Sequence, residues 1–148
     1  MDSSLRRVYF DTSGAMRYLV RSRRGHEPAR ELWDLADQVV SAGVTYMEVR
    51  AALAAGRRNR YWGEPGLARL KQTWQEAWRE VDEIDVHRPL LARAGDVAEA
   101  QGLRGFDAVQ LTAALSSGCD LFVAADRRLC EAARRVLLPV LDLDQVEE

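Results

Sequence analysis

Two short apolar segments, one near each end of the chain, each lead to an aspartate. Residues 8–10 read Val-Tyr-Phe and are followed by Asp11, and residues 121–123 read Leu-Phe-Val and precede Asp126. Aromatic and β-branched runs of this length are typical of buried strands. In open α/β sheets, ligands bind at the carboxyl ends of parallel strands. The two aspartates are therefore candidate site residues at one edge of a sheet.

Segments with helical periodicity separate these strands from further short ones. The remaining predicted strands span residues 39–40, 81–86 and 138–141. Helices are predicted after Asp11, from Pro28, from residue 44 to about 57, and over residues 67–80, 89–98, 106–115 and 129–136. Alternating strands and helices predict an α/β fold in which helices cover both faces of a central parallel sheet. Residues 59–66 are polar and predict a loop.

Local capping signals accompany this pattern. Thr12 or Ser13 is expected to cap the first helix. Thr45 is expected to cap the third, with Glu48 completing a capping box in the first turn. The acidic residues 142–148 are expected to fray.

Length, charge and cysteine usage exclude several classes of protein. A chain of 148 residues predicts one domain over residues 1–148. The 23 acidic and 21 basic side chains give a net charge of −2, which argues against coating nucleic acid by bulk charge. No apolar run approaches the ~18 residues of a membrane span, and no signal-peptide core is present. Two cysteines form no disulfide framework, so we expect a reduced, cytoplasmic protein with no membrane partner.

Two further carboxylates occupy apolar surroundings. Asp107 opens the apolar helix predicted at residues 106–115, and Glu48 lies among apolar neighbours. Each could simply favour a helix amino terminus, and Asp11 and Asp126 could simply be caps. Four converging carboxylates, however, cannot all stay ionised without a compensating charge. The only lysine, Lys71, is remote in sequence, so oxygen-ligated Mg²⁺ or Mn²⁺ and metal-assisted phosphodiester hydrolysis are predicted.

Four segments, at residues 8–13, 45–53, 103–111 and 121–129, match motifs of a known family in order. The chain resembles PIN-domain proteins, in particular the small VapC-type toxins of toxin–antitoxin pairs, over nearly its whole length. The resemblance implies a three-layer sandwich with a parallel sheet between helices, and an endoribonuclease dependent on Mg²⁺ or Mn²⁺. It also implies an RNA substrate, a cognate antitoxin and a homodimer.

The resemblance assigns roles to individual residues. It implies that Asp11, Glu48, Asp107 and Asp126 hold metal and activate water, and that Ser13 contacts metal-bound water. One position departs from the family pattern. Ala124 stands where a threonine is common, two residues before the last aspartate, and loss of that hydroxyl would loosen Asp126.

Two alternatives remain open at this point. Ala124 is compatible with a catalytically weak module that binds RNA or protein. Residues 11–14 also resemble a phosphoacceptor loop, as in haloacid-dehalogenase-like or receiver folds. Those folds use a lysine on a late strand, and no lysine follows Lys71.

Arginine supplies 20 of the 21 basic side chains. Arg127 and Arg128, directly after Asp126, are candidate ligands of RNA phosphates because the guanidinium group suits phosphate geometry. Further arginines cluster at residues 17–24 and 57–60, where they could bind phosphate or simply stabilise helix ends. Trp62, in the predicted loop, is a candidate for base stacking. Both histidines are expected at the surface.

Overall fold

A five-stranded parallel sheet forms the centre of the molecule. The structure is a computed structural model that describes residues 5–146. The strands run in the spatial order β3-β2-β1-β4-β5, and all neighbouring pairs are parallel. Their bounds are β1 Arg7–Phe10, β2 Gln38–Ala42, β3 Asp82–Ile84, β4 Leu121–Ala124 and β5 Val140–Asp142.

Seven helices connect these strands within the described residues. They are α1 Thr12–Leu19, α2 His26–Leu35, α3 Gly43–Arg58, α4 Glu64–Trp78, α5 Arg88–Gln101, α6 Gly105–Ser117 and α7 Arg127–Arg135. No helix in residues 5–146 is long and apolar enough to cross a membrane.

Each face of the sheet packs against its own group of helices. Tyr9 and Phe122 lie in a core formed with α5, α6 and α7, whereas Val8, Phe10 and Trp74 lie in a core formed with α1 to α4. Successive residues of β1 thus enter opposite cores, as the alternation of strand side chains requires. The predicted α/β sandwich with helices on both faces is confirmed.

The central position of β1 determines where the candidate site forms. Val8 pairs with Val39 of β2 on one side and with Leu121 of β4 on the other. The carboxyl ends of β1 and β4, which lead to Asp11 and Asp126, are therefore neighbours.

Several local predictions were wrong. The cap of α1 is Asp11, whose carboxylate accepts a hydrogen bond from the amide of Gly14, so neither Thr12 nor Ser13 caps this helix. The third helix begins at Gly43, and Thr45 lies inside it with a buried hydroxyl. Glu48, three residues after Thr45, is therefore the sixth residue of the helix and lies outside its first turn.

Element bounds also differ from those predicted. Strand β3 ends at Ile84 because its partner β2 ends at Ala42, where α3 takes over. Helix α4 begins at Glu64, so only residues 59–63 form the loop. The strand predicted at residues 138–141 lies at Val140–Asp142.

Polar residues near the chain end are more ordered than predicted. Asp142 is 4% exposed, Leu143 is fully buried, and the carboxylate of Asp144 lies 2.7 Å from the guanidinium of Arg17. His26 is buried too, and its Nδ1 lies 2.9 Å from the carbonyl of Arg17. Fraying is therefore wrong for residues 142–144, and a surface position is wrong for His26; residues 147–148 lie outside the described part.

Candidate active site

Asp11 and Asp126 lie side by side at the carboxyl edge of the sheet. Asp11 directly follows β1, and its amide donates to the carbonyl of Val123 in β4 at 3.2 Å. Asp126 follows β4 by two residues and caps α7, accepting from the amide of Leu129 at 3.0 Å. Each aspartate therefore ends a strand region and begins a helix.

Ser13 and Gly14 hold Asp11 against β4. The hydroxyl of Ser13 lies 2.7 Å from Oδ1 of Asp11 and accepts a hydrogen bond from the amide of Ala125 at 2.8 Å. A Cβ atom on Gly14 would lie 2.6 Å from the carbonyl oxygen of Val123. Glycine at this position therefore allows the start of α1 to approach β4 closely. The hydroxyl of Ser13 therefore lies against the first aspartate, and its contact with metal-bound water stays a prediction.

Glu48 and Asp107 enter the site from helices. Asp107 lies in the first turn of α6. Glu48, on α3, accepts hydrogen bonds from the hydroxyl of Thr12 at 2.7 Å and from the side-chain amide of Gln110 at 3.1 Å. Gln110 lies one turn after Asp107 on α6. Its hydrogen bond to Glu48 therefore connects the helix that carries Asp107 to the helix that carries Glu48.

Gln110 belongs to a buried polar network that the sequence did not suggest. The side chain is 2% exposed, and its Oε1 accepts from the hydroxyl of Tyr9 at 2.7 Å. Its Nε2 lies 2.9 Å from Oγ1 of Thr45, which is 2.8 Å from the hydroxyl of Ser41. The oxygen and the nitrogen of the side-chain amide thus both have hydrogen-bond partners, so the network fixes the orientation in which Gln110 donates to Glu48.

Burial and mutual repulsion disfavour ionisation of the site carboxylates. Desolvation raises the pKa of Asp11 to about 7, the charges of Asp126 and Asp107 add to this, and hydrogen bonds from Gly14 and Ser13 oppose it. The pKa of Asp107 is also raised, first by desolvation and then by Asp126 and Glu48. Asp11, Asp107 and Asp126 therefore lie within electrostatic range of one another, and Glu48 lies within range of Asp107.

Arginines border this cluster, but not in the way the sequence suggested. Arg104 and Arg128 both act to lower the pKa of Asp107, so both lie near its carboxylate. Arg128 also donates to the carbonyl of Gly102 at 3.0 Å. Arg127 instead pairs with Glu131 at 3.1 Å and is 82% exposed. Arg104, rather than Arg127, accompanies Arg128, because the turn before α6 returns to the acidic edge.

The donor set matches a hard divalent cation. None of the four carboxylates forms an ion pair with a basic side chain in residues 5–146. In that part of the chain, no three His, Cys, Asp or Glu side chains lie close enough together to hold a metal ion by themselves. Mg²⁺ does not require one, since it keeps several waters and uses one or two carboxylates. The oxygen ligands, which lack ion-pair partners in the described residues, and the raised pKa values of Asp11 and Asp107 therefore fit such an ion.

A fifth carboxylate lies near this edge. Asp142 ends β5, pairs in register with Ala124, and accepts from the amide of Asp144 at 2.9 Å. Ala124 itself is fully buried. The sequence placed Asp142 in a frayed tail, since the strand before it is too short to predict its burial.

Sequence comparison links the chain to a family of nucleases. The PIN domain family matches residues 8–135. Two ribonucleases from Mycobacterium tuberculosis, VapC45 (strain CDC 1551) and VapC49 (strain H37Rv), are each 40% identical over 124 residues. That alignment covers 82% of this chain and 85% of each relative.

Solved structures share the fold at low sequence identity. PAE2754 from Pyrobaculum aerophilum matches with a TM-score of 0.72 and 17% identity, covering 94% of this chain and 85% of that one. The sarcin-ricin loop cleaving toxin VapC20 of M. tuberculosis has a TM-score of 0.66 and 18% identity, covering 84% and 94%. A toxin–antitoxin complex from Klebsiella pneumoniae has a TM-score of 0.66 and 16% identity, covering 94% and 99%. By the family match over residues 8–135 and the 40% identity to two VapC ribonucleases, the chain belongs to the PIN-domain family and, within it, to the VapC ribonucleases.

Proposed function

We propose that this chain is the toxin endoribonuclease of a type II toxin–antitoxin pair and uses Mg²⁺ or Mn²⁺ to hydrolyse RNA phosphodiester bonds. One observation supports the proposal most directly: Asp11, Asp107 and Asp126 lie within electrostatic range at the carboxyl edge of the sheet, Glu48 lies within range of Asp107, and none of the four forms an ion pair in residues 5–146. The 40% identity to two VapC ribonucleases supports it. We assign residues 1–148 to one PIN domain.

Asp11, Glu48, Asp107 and Asp126 are proposed to hold the cation. A divalent ion here supplies Lewis-acid stabilisation of phosphate charge and lowers the pKa of water. Ser13 and the amide of Gly14 orient Asp11, while Thr12 and Gln110 orient Glu48.

Arginines beside the acids are proposed to attract the RNA backbone. Arg104 and Arg128 lie near Asp107 and place positive charge at the border of the acidic cluster. Guanidinium groups suit phosphate oxygens and position a strand without reading its sequence. Arg127 is 82% exposed and engages Glu131, so we expect it to contribute less than Arg128.

The proposed partners are RNA, a cognate antitoxin and a second copy of this chain, in the cytoplasm. The resemblance to VapC toxins supports the antitoxin and the homodimer. The proposed antitoxin partner also agrees with the similarity in fold between this chain and a chain of the Klebsiella pneumoniae toxin–antitoxin complex.

Metal-dependent RNA cleavage tests the function directly. The purified chain should cleave cellular RNA at discrete sites when Mg²⁺ or Mn²⁺ is added, and EDTA should stop it. Sequencing of RNA 5′ ends locates the cuts. The Asp107→Asn variant, which keeps the helix and removes one charge, should be inactive. Equal cleavage by this variant, or cleavage in EDTA, would contradict the proposal.

Ala124 favours one alternative, a module that binds RNA or protein with little cleavage. Ala124 is fully buried and pairs in register with Asp142, so a hydroxyl at this position would be shielded from solvent beside the acidic edge. Calorimetry with Mn²⁺ separates the two functions. No heat of binding at millimolar metal, together with no cleavage, would favour the module.

A further inference from the structure

A small cavity adjoins the acidic site between α1 and α3. Its volume is about 260 Å³, and Ser13, Met16, Arg23, Asn59 and Tyr61 are among its lining residues. The hydroxyl of Ser13 also binds the carboxylate of Asp11. The cavity therefore begins at the acidic cluster and leads away from it toward the turn between α3 and α4.

Tyr61 and Arg23 give this cavity an aromatic surface and a positive charge. The ring of Tyr61 is 69% exposed, and the guanidinium carbon of Arg23 lies 5.9 Å from its centroid. Arg23 forms no ion pair with any residue in the described range 5–146. Bases stack on aromatic rings while cations bind the backbone, which is how proteins hold unpaired nucleic-acid strands.

Of the two arginines that line the cavity, Arg17 already has partners, whereas Arg23 forms no ion pair within residues 5–146. Arg17 pairs with Asp144 at 2.7 Å and donates to the carbonyl of Arg24 at 2.8 Å. Arg24 donates to the carbonyl of Val146 at 3.1 Å. These two side chains support the chain end, as expected for cations near a helix terminus, whereas Arg23 remains available to a ligand.

The backbone holds Tyr61 in place through an unusual turn. Arg60 has φ +63°, a left-handed conformation that residues other than glycine rarely adopt. This turn lets the amide of Tyr61 donate to the carbonyl of Gly56 at 2.9 Å, closing the end of α3. An ion pair between Arg57 and Glu64 at 2.9 Å spans the same turn.

Trp62 anchors the turn rather than stacking on a base. Its Nε1 donates to the carbonyl of Leu53 at 2.9 Å, and its ring lies directly on Gly56. The ring centroids of Trp62 and Tyr61 are 6.2 Å apart. The base-stacking role predicted for Trp62 thus falls more naturally to its exposed neighbour, Tyr61.

We propose that Tyr61 and Arg23 form a binding subsite for an unpaired RNA nucleotide next to the cleaved phosphate. Tyr61 stacks on the base, and Arg23 binds a neighbouring phosphate. The inference rests on the proposed function, because it takes the acidic cluster as the place of cleavage. It implies that the substrate is single-stranded or looped at the cut, since a base inside a duplex cannot reach the ring.

Binding to two oligonucleotides of equal length tests the subsite without cleavage. The probes are oligoadenylate and an abasic ribose-phosphate oligomer, measured by fluorescence anisotropy in EDTA. Tyr61→Ala should weaken oligoadenylate binding about tenfold and leave the abasic oligomer unaffected. Tyr61→Phe should bind as the wild type does. Arg23→Ala should weaken both probes and reduce the salt slope by about 1, while Arg93→Ala, an exposed arginine on α5, serves as the matched control.

Three outcomes would overturn the subsite. The first is wild-type protein that binds oligoadenylate no better than the abasic oligomer. The second is a Tyr61→Ala variant that binds both as the wild type does. The third is a Tyr61→Ala variant that loses only antitoxin binding, which would assign the cavity to a protein. Failure of the proposed function is distinguishable, because it appears as absent metal-dependent cleavage and leaves this binding contrast unchanged.

Discussion

The two acids at strand ends differ from the two acids on helices in how the fold uses them. Asp11 and Asp126 each cap the following helix, accepting from the amides of Gly14 and Leu129. Asp107 caps no helix and its carboxylate accepts no hydrogen bond from residues 5–146, while Glu48 accepts hydrogen bonds from the side chains of Thr12 and Gln110. The strand-end pair thus caps helices, whereas neither acid of the helix pair does.

This difference shows which substitutions remove the negative charge of an acid without also removing a helix cap. At a capping position, asparagine keeps the cap and removes the charge, while alanine removes both. At a helix position without a cap, the two substitutions should have similar effects on folding. Mutating one acid from each pair therefore separates loss of metal binding from loss of stability.

The largest expected effect is the loss of cleavage in Asp11→Asn. A bound cation contributes several kcal/mol to catalysis, so its loss should lower kcat/KM by about 10³-fold or more. RNA cleavage in Mn²⁺ measures this. Circular dichroism should show a folded variant, because asparagine still accepts from Gly14. Wild-type cleavage by this variant would show that Asp11 serves only the fold.

The second effect is a pH-dependent loss of stability in the metal-free protein. The pKa of Asp11 is raised from 3.8 to about 7, so between these values the native state holds a proton that the unfolded state has released. The contribution of Asp11 to stability should be largest below pH ~4, fall as pH rises to about 7, and then level off. The total loss is on the order of 4 kcal/mol.

Urea unfolding in EDTA across this range measures the effect. Asp11→Asn should lack this component, and Mn²⁺ should restore wild-type stability above pH 7, because the ion binds the ionised carboxylate. An identical pH profile for wild type and variant would show that the buried charge is already compensated.

The third test addresses the helix pair through its orienting residue. Gln110→Met keeps the volume but removes the bonds to Glu48, Thr45 and Tyr9. We expect metal affinity to fall about 10- to 100-fold, as it does when groups that orient metal ligands are lost. The buried polar groups of Tyr9, Thr45 and Glu48 would each lose a hydrogen-bond partner, which should lower the free energy of unfolding by about 2 kcal/mol.

Calorimetry with Mn²⁺ and urea unfolding measure the two quantities. Gln72→Met, at an exposed position on α4, provides the matched control. Unchanged metal affinity in Gln110→Met would mean that Thr12 alone suffices to orient Glu48.

The smallest effect compares alanine at a capping and a non-capping acid. Asp126→Ala should cost about 1 kcal/mol of stability through the lost cap of α7, beyond any change from charge. Asp107→Ala should cost nothing or stabilise the protein, since its carboxylate is repelled by its neighbours. Urea unfolding in EDTA measures both. Equal losses in the two variants would remove the distinction between strand-end and helix acids.

The acidic edge was predictable because its signals are local. Short apolar runs before Asp11 and Asp126 indicate strands, and parallel strands place their carboxyl ends together. The motifs around Glu48 and Asp107 added the helix pair. The structure confirms the sheet, places Asp11, Asp107 and Asp126 within electrostatic range of one another and places Glu48 within range of Asp107.

The polar framework behind the acids was not predictable, since it joins residues remote in sequence. Gln110 contacts Tyr9 across 101 positions, and nothing in its helical pattern distinguishes it from a surface glutamine. Likewise, Thr45 looks like a helix cap until tertiary packing buries it. The positions of Arg104 and Asp142 near the acidic edge depend on where a turn and a short strand end, and local propensity predicts such ends poorly.

The pairing of β1 with β4 also controls when the enzyme can become active during synthesis. Val8 pairs with Val39 on one side and with Leu121 on the other, so the second neighbour of β1 exists only after more than one hundred later residues have been made. Asp11 can therefore meet Asp126 only after residue 126 has left the ribosome. A nascent chain that ends before this residue lacks the assembled acidic edge.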